Sequence, residues 1–254
     1  GVTYYFVDNE YYFKRGSLYG FFDDGERYAY FCKAVMETMI KLGFYPDIIH
    51  ANDWQAALSV VYLNTKYRYV EGFEKTKTVY TIHNIEYQGK YDFSILGDVF
   101  DLGPESYALM RYDDCINLTK AAIECADRVS TVSPRYAEEI QSAEYSHGLH
   151  HVLHRNAHKL CGILNGIDYD YYNPAKDEPL AKHYDRRNII SGKRANKLAL
   201  QKEYGLPERE DVPMLAIISR LASHKGLDLV SEIAYDIVSN NDVQFVALGK
   251  GESR

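Results

Sequence analysis

The sequence predicts an α/β fold built on parallel sheets, because apolar runs typical of strands alternate along the chain with segments of helical periodicity. Four of these runs end directly in polar clusters that carry His, Asn, Asp, Arg or Lys, and they occupy residues 46–49, 78–82, 161–164 and 214–218. In an open parallel sheet, ligands bind in the crevice outside the carboxyl ends of the strands. The pattern therefore predicts a binding crevice formed by the residues that follow each strand.

The amino-terminal part is predicted to begin with strand and loop. Twelve aromatic side chains fall within the first 31 residues, and glycines together with a turn at residues 23–25 interrupt any regular period. A helix is then predicted over residues 26–42, where apolar side chains recur at helical spacing and Gly43 stands at the C′ position. A strand, a helix over residues 53–63 and the strand that ends at Ile82 follow as a βα unit.

The next elements depend mainly on proline positions. Residues 102–127 are predicted to form one long helix opened by Pro104, and residues 128–133 form the next strand. Pro134 then stands at the first position of a short helix, where proline is favoured. Farther along, the pattern predicts a βαβ unit whose strand, helix and strand occupy residues 214–218, 227–238 and 243–248.

Changes of polarity and proline content along the chain predict two domains. Residues 1–165 form a partial Rossmann-like domain, and residues 166–213, which are polar and interrupted by prolines, form an interdomain connection. Residues 214–254 begin a second Rossmann-like domain. The sequence stops six residues after the last predicted strand, and a lone βαβ unit cannot cover both faces of a parallel sheet. We therefore expect the chain to be a fragment of a larger fold.

Composition argues against several classes of partner. With 46% hydrophobic and 26% charged residues the chain is typical of a globular protein, and its formal net charge of -7 disfavours nucleic acid and an anionic membrane surface. No apolar run approaches the roughly 20 residues that span a bilayer. With no signal peptide visible, although the chain begins at Gly1, we expect a cytoplasmic protein. Four well-separated cysteines are predicted to be reduced and buried: Cys32, Cys115, Cys125 and Cys161.

Arg220 and Lys225 lie at the predicted turn between a strand and a helix of the second domain. Two cations beside the amides and positive dipole end of a helix N-terminus suit a phosphate or pyrophosphate. The alternative is a solvated basic turn. Neither the P-loop pattern nor the glycine fingerprint of dinucleotide-binding proteins is present, so a nicotinamide cofactor is poorly supported.

Candidate site residues follow the strands of the first domain. His83 ends a strand, and a neutral imidazole there can donate to a hydroxyl or to an oxygen that develops charge; alternatively, it caps the following turn. Asp53 directly follows a strand, so it could be the N-cap of the next helix. The only tryptophan, Trp54, is expected in the core first. Asn165 precedes Gly166 and could simply form a turn.

Metal binding is not expected. His150 and His154, and likewise His154 and His158, have the i, i+4 spacing of zinc ligands on a helix, but no H-E-x-x-H motif, cysteine pair or obvious carboxylate ligand accompanies them. The acidic pair at residues 23–24 is placed in a turn and the pair at residues 113–114 inside a helix. Solvated surfaces explain both pairs better than a divalent cation does.

Six segments, in order, carry a resemblance to a known family, and they cover nearly the whole chain. The chain resembles the bacterial glycogen synthase and plant starch synthase family of retaining glycosyltransferases in Tyr12-Phe13-Lys14-Arg15 through Gly20, His50-Ala51-Asn52-Asp53-Trp54-Gln55, Tyr80-Thr81-Ile82-His83-Asn84 through Gly89, Thr131-Val132-Ser133-Pro134 through Ile140, Ile163-Leu164-Asn165-Gly166-Ile167-Asp168 with Asn173-Pro174, and Ser219-Arg220-Leu221 through Asp228.

The resemblance implies a GT-B architecture, in which two Rossmann-like domains with parallel sheets face a cleft, both incomplete here. It implies transfer of glucose from ADP-glucose to the non-reducing end of an α-1,4-glucan such as glycogen, with retention, without a metal and without a cofactor. The residues that match the family's site fall into three groups: His83 and Asp53 as catalytic residues, Asn165 and Trp54 at the sugar, and Arg220 and Lys225 at the donor diphosphate.

Two departures qualify this expectation. The family's Lys-Thr-Gly-Gly-Leu segment near the amino terminus and its glutamate-bearing segment late in the second domain are both absent, and both help to form the donor site. We therefore expect the chain alone to be inactive. Two alternatives stay open: a truncated, non-catalytic glucan-binding fragment, or another GT-B glycosyltransferase that uses UDP-glucose.

Overall fold

The computed structural model describes residues 1–222 and 225–251. The chain divides into two compact units, Gly1–Asn165 and Gly166–Arg254. The assignment of residues 166–213 as a connection and of residues 214–254 as the start of a second domain stays a prediction.

The first unit alternates strands and helices. Its strands are β1 (Ile48–Asn52), β2 (Lys77–Ile82), β3 (Lys90–Tyr91), β4 (Arg111–Tyr112), β5 (Cys115–Asn117), β6 (Arg128–Thr131) and β7 (Leu160–Gly162). Its helices are α1 (Glu10–Phe13), α2 (Asp24–Leu42), α3 (Asp53–Tyr62), α4 (Ile95–Asp98), α5 (Tyr107–Met110), α6 (Leu118–Cys125), α7 (Pro134–Glu139) and α8 (His150–Arg155). A π-helical turn, Leu63–Tyr67, extends α3, and 3₁₀ turns occupy Pro104–Ser106 and Ala157–Lys159.

The main sheet has the order β1-β2-β6-β7, and every neighbouring pair of strands is parallel. Because all four strands run in the same direction, their carboxyl ends lie at one edge of the sheet. Helices α2, α3 and α6 supply much of the core, with Met36, Leu58, Val60 and Ile123 all at most 1% exposed. Burial of such a side chain stabilises the fold by about 1.5–3 kcal/mol.

The prediction of strand and loop over the first 31 residues is wrong in its strand. The regular elements among these residues are α1 and the start of α2, and residues 1–9 and 14–23 are loops. The Asn9 side chain accepts a hydrogen bond from the backbone N–H of Tyr12 at 3.1 Å, which caps α1. The predicted turn at residues 23–25 contains the beginning of α2, where the buried Asp24 carboxylate pairs with the guanidinium of Arg27.

The predicted long helix over residues 102–127 is also wrong, because a β-hairpin interrupts it. β4 pairs with β5 in antiparallel fashion, and β3 extends this second sheet. Asp113 adopts a left-handed backbone, φ +50°, in the turn, so the acidic pair at residues 113–114 lies in a hairpin and not in a helix. Asn117 then accepts from the backbone N–H of Lys120 at 2.9 Å and starts α6 as its N-cap.

The predictions for α2 and α7 are confirmed by their caps. Gly43 ends α2 in the left-handed conformation, φ +60°. Ser133 accepts from the backbone N–H of Tyr136 at 2.9 Å, and Pro134 is the first residue of α7.

The second unit contains a parallel pair of strands, β8 (Met214–Ile218) and β9 (Gln244–Leu248), and the helices α9 (Ile189–Glu203) and α10 (Leu227–Asn240). The predicted βαβ order is confirmed. Gln201 on α9 is fully buried, and its amide N–H groups donate to the backbone oxygen of Arg209 and to Oε1 of Gln244. This contact attaches α9 to β9.

All four cysteines are free thiols, as predicted. Cys32 is buried, and burial raises its pKa to about 11. Cys115 and Cys125 are only partly buried and Cys161 is exposed, so the predicted burial is confirmed for Cys32 alone and is wrong for Cys161. Cys161 lies in β7, the last strand of the sheet order. Among the described helices, none combines the length and the apolar character needed to cross a membrane.

Candidate functional site

The site in the first unit is built where β1 and β2 end. The strands are in register with Asn52 opposite Thr81. The chain then passes from Asn52 into Asp53 at the start of α3, and from Ile82 into His83. Adjacent parallel strands of this length therefore place Asn52, Asp53 and His83 together at one edge of the sheet.

Asp53 adopts a left-handed backbone conformation, φ +55°. For a residue other than glycine, such a conformation costs on the order of 1–3 kcal/mol and is concentrated at functional sites. The carboxylate Oδ1 accepts a hydrogen bond from the backbone N–H of His83 at 2.8 Å. The N-cap alternative for Asp53 is wrong, since Asn52 occupies the N-cap position and the Asp53 carboxylate turns toward the neighbouring strand.

His83 is exposed at this edge. Its ring Nε2 lies 3.0 Å from Oδ1 of Asn52. The ring therefore contacts the end of the adjacent strand, 31 residues earlier in sequence, and the alternative in which it caps its own following turn is not what the structure shows. The main chain and the ring of His83 are thus held separately, by Asp53 and Asn52.

A line of hydrogen bonds crosses the sheet behind this edge. Nε2 of His50 lies 2.6 Å from Oγ1 of Thr81, which lies 2.6 Å from Oγ of Ser130. The Thr131 hydroxyl donates to the backbone oxygen of Ile82 at 2.7 Å. These contacts connect β1, β2 and β6 next to the site and fix the strand ends relative to one another.

Tyr136 of α7 supports the loop that follows His83. Its hydroxyl oxygen accepts from the backbone N–H of Ile85 at 3.2 Å. Burial raises the pKa of Tyr136, the bond from Ile85 lowers it, and the negative charge of Asp53 raises it again. The phenol is therefore protonated at neutral pH. The hydrogen bond from Ile85 to the Tyr136 hydroxyl places α7 beside the same edge of the sheet.

Trp54 is 8% exposed, and its ring packs edge-on against Tyr28 with centroids 5.1 Å apart. Gly89 approaches this indole so closely that a Cβ there would lie 2.9 Å from it. The expectation that Trp54 belongs first to the core is confirmed. Its contact with a sugar stays a prediction.

β7, which is separated from β2 by β6 in the sheet order, forms a further carboxyl end at the same edge of the sheet. A Cβ at Gly162 would lie 2.0 Å from the backbone oxygen of Ser133, so only glycine permits this approach of β7 to α7. Ile163 continues the strand direction by donating to the backbone oxygen of Thr131 at 2.8 Å. Asn165 follows three residues after β7 and is exposed, and its contact with glucose stays a prediction.

The second unit presents the other predicted residues. Arg220 is exposed two residues after β8, and Lys225 is exposed directly before Gly226, the N-cap of α10. Gly226 has φ +68°, and the backbone N–H of Lys225 donates to the oxygen of Ala222 at 3.0 Å. Both cations thus flank a strand-to-helix turn, as predicted. Ser223 and His224 of the same cluster lie outside the described residues.

Within the described residues, no group of three or more His, Cys, Asp or Glu side chains is arranged to hold a metal ion. His150 and His154 both belong to α8, and the rings of His150 and His151 lie 4.0 Å apart. The histidine spacing therefore does not form a recognisable metal centre in the part of the chain that the structure describes.

Two supporting residues, Asn52 and Tyr136, are not identifiable as such from the sequence. Asn52 was part of the polar cluster after β1, but no sequence signal assigned it to His83. Tyr136 was part of the predicted helix after Pro134, and its hydroxyl contact with the loop after β2 depends on the parallel alignment of β2 and β6. The register of the strands is the information that would have found both.

The fold and the strand-end cluster define an α/β protein with a candidate site at the carboxyl edge of a parallel sheet. Residues 1–155 match the family described as Starch synthase catalytic domain, and the chain belongs to that family. The predicted resemblance and the predicted α/β class with parallel sheets are confirmed.

Relatives of this chain carry related names. Glycogen synthase of Streptococcus pneumoniae serotype 2 (strain D39 / NCTC 7466) is 47% identical over 254 residues, which are 99% of this chain and 53% of that protein. Glycogen synthase of Ligilactobacillus salivarius (strain UCC118) is 46% identical with the same coverage. The chain therefore spans about half the length of these relatives.

A solved structure is also similar. The catalytic domain of Starch Synthase IV from Arabidopsis thaliana, bound to ADP and acarbose, matches with a TM-score of 0.85 and 37% identity. The match covers 95% of this chain and 50% of that chain.

Proposed function

We propose that the protein is a glucan synthase that transfers glucose from ADP-glucose to the non-reducing end of an α-1,4-glucan such as glycogen, with retention of configuration. The observation that carries the proposal is the cluster of Asn52, Asp53 and His83 at the carboxyl edge of the sheet, in a chain that belongs to the starch synthase catalytic family. The names of the relatives support glycogen as the acceptor.

The donor is proposed to be ADP-glucose because the solved relative is bound to ADP, which is the product that ADP-glucose would leave. Arg220 and Lys225 are proposed to bind the donor diphosphate. Both are exposed cations at a strand-to-helix turn, where charge-assisted hydrogen bonds to phosphate oxygens form readily. Negative charge grows on the departing diphosphate, so cations placed there stabilise the transition state.

His83 is proposed to hydrogen-bond a hydroxyl of the transferred glucose, and Asp53 is proposed to complete the sugar pocket while holding the main chain of His83. A group held at two points is preorganised, and preorganisation lets a hydrogen bond strengthen as the transition state forms. Asn165 and Trp54 are proposed to contribute further sugar contacts. The reaction is proposed to take place in the cytoplasm.

The test uses the natural gene product that contains residues 1–254. Incorporation of radiolabelled glucose into glycogen is measured with ADP-glucose and, in parallel, with UDP-glucose. The expected result is transfer from ADP-glucose. Transfer from UDP-glucose alone would overturn the donor assignment, and binding of glycogen without transfer from either donor would support the non-catalytic alternative.

The site is tested with His83→Ala, compared with His154→Ala, a matched change at an exposed histidine on α8. We expect His83→Ala to lower kcat by about a hundredfold or more, the order found for loss of one preorganised hydrogen bond at the reacting centre, with little change in Tm. His154→Ala should retain the parent rate. Early melting of His83→Ala with normal turnover of the folded fraction would make His83 structural.

A further inference from the structure

The contact between Asn52 and His83 follows from strand register. Asn52 is opposite Thr81, and side chains two residues apart on a strand share a face. His83, the first residue after β2, therefore projects from the same face as Thr81 and Asn52. This placement explains why the His83 ring meets the Asn52 amide at 3.0 Å.

The chemistry of this contact determines which nitrogen of the His83 ring carries the proton. The atom of Asn52 that faces the ring is Oδ1, and an amide oxygen can only accept a hydrogen bond. Nε2 of His83 must then carry the proton and donate it to Asn52. In the neutral ring the other nitrogen, Nδ1, has a lone pair and acts as an acceptor.

From this geometry we infer that Asn52 is a positioning residue that holds the neutral His83 ring in its Nε2–H tautomer, so that Nδ1 accepts a hydrogen bond from a substrate hydroxyl. The inference rests on the proposed function for the identity of the hydroxyl, which would belong to the transferred glucose. It reverses the direction expected from sequence, in which the imidazole donates.

Asp53 and Asn52 hold different parts of His83. Asp53 binds the backbone N–H of His83 and places the residue, whereas Asn52 binds the ring and determines which nitrogen faces outward. Rotation of a histidine ring about its side-chain torsions is otherwise broad. Loss of Asn52 should therefore release the ring and its tautomer without releasing the main chain.

The tautomer is measured directly by two-bond ¹H–¹⁵N NMR of histidine-labelled natural gene product, with the His83 signals assigned by their loss in His83→Gln. We expect a protonated Nε2 and an unprotonated Nδ1 in the parent protein. Asn52→Ala should populate both tautomers, whereas Asn52→Asp should keep a proton on Nε2, since a carboxylate oxygen accepts at the same place. The matched control is Asn84→Ala, which removes the amide adjacent to His83 in sequence and should leave the tautomer unchanged.

Kinetics supply the second readout. Asn52→Ala is expected to lower kcat about tenfold, equivalent to roughly 1.4 kcal/mol, while KM for the donor changes less. A parent protein with the proton on Nδ1, or an Asn52→Ala variant that keeps a single Nε2–H form, would overturn the inference. If the parent protein transfers no glucose at all, the proposed function fails, and the NMR result still decides the role of Asn52.

Discussion

Substitution of Asp53 separates two opposing contributions to the free energy of unfolding, namely the hydrogen bond that its carboxylate accepts and the strain of its backbone. The aspartate has a left-handed backbone, φ +55°, and its Oδ1 accepts the His83 N–H at 2.8 Å. A hydrogen bond to a charged group contributes about 1.5–3 kcal/mol. The left-handed backbone costs a residue with a Cβ about 1–2 kcal/mol more than it costs glycine.

Asp53→Ala removes the hydrogen bond and keeps the strained backbone, so we expect the free energy of unfolding to fall by at least about 1.5–3 kcal/mol. Asp53→Gly removes the same bond but relieves the strain. Glycine also raises the entropy of the unfolded chain, at a cost of about 0.5–1 kcal/mol. The balance leaves Asp53→Gly more stable than Asp53→Ala by about 1 kcal/mol.

Native-state hydrogen exchange at the His83 amide measures the strength of the local hydrogen bond, and urea denaturation measures the free energy of unfolding of the whole protein. Both variants should lower protection of this amide by a similar factor, about ten- to a hundredfold, which corresponds to the bond they share in losing. Asp53→Asn, which keeps an oxygen acceptor, serves as the control and should retain most of the protection. Unchanged protection in Asp53→Ala, or a glycine variant less stable than the alanine variant, would refute the reasoning.

Three further outcomes are expected. Gly162→Ala should destabilise the protein by about 2 kcal/mol or more in urea denaturation, because its Cβ would lie 2.0 Å from a backbone oxygen; Gly97→Ala, with nothing within 4 Å of its Cβ, should not, and equal effects would contradict the packing argument. Arg220→Ala should lower kcat/KM for ADP-glucose about ten- to a hundredfold, through loss of a charge-assisted contact of about 1.5–3 kcal/mol; unchanged donor kinetics would remove the diphosphate assignment. Iodoacetamide at pH 8 should modify exposed Cys161 and spare Cys32, whose burial raises its pKa to about 11; mass spectrometry that finds Cys32 modified first would contradict this.

Local chemistry made several elements predictable from sequence. Ser133 and Pro134 start α7, and Gly43 ends α2, because caps and left-handed glycines act over only a few residues. The apolar run of β2 and the polar residues after it predicted the carboxyl edge of the sheet, since a strand and its end are both written in consecutive residues.

Elements that depend on distant partners were mispredicted or missed. The helical prediction for residues 102–127 failed because Asp113 enters a left-handed turn and β4 pairs with β5. β3 completes the small sheet by pairing Tyr91 with Ile116, about 25 residues farther along the chain. The spacing of apolar side chains along the sequence contains no information about the pairing of strands that are distant in sequence. Tertiary context therefore overrode a helical pattern that was locally acceptable.

The sequence alone determined the α/β class, the presence of the four strands and the residue types near their carboxyl ends. The structure moves two of those ends, because β1 continues to Asn52, past the predicted end at residue 49, and β7 ends at Gly162, before the predicted end at residue 164. Only the tertiary structure decided which of those residues meet. His83 contacts Asn52 and Asp53, about 30 residues earlier, because the parallel register of β1 and β2 aligns Asn52 with Thr81. Register is set by hydrogen bonds between strands and by the packing of helices that cover them, and neither is encoded in the residues of the site themselves.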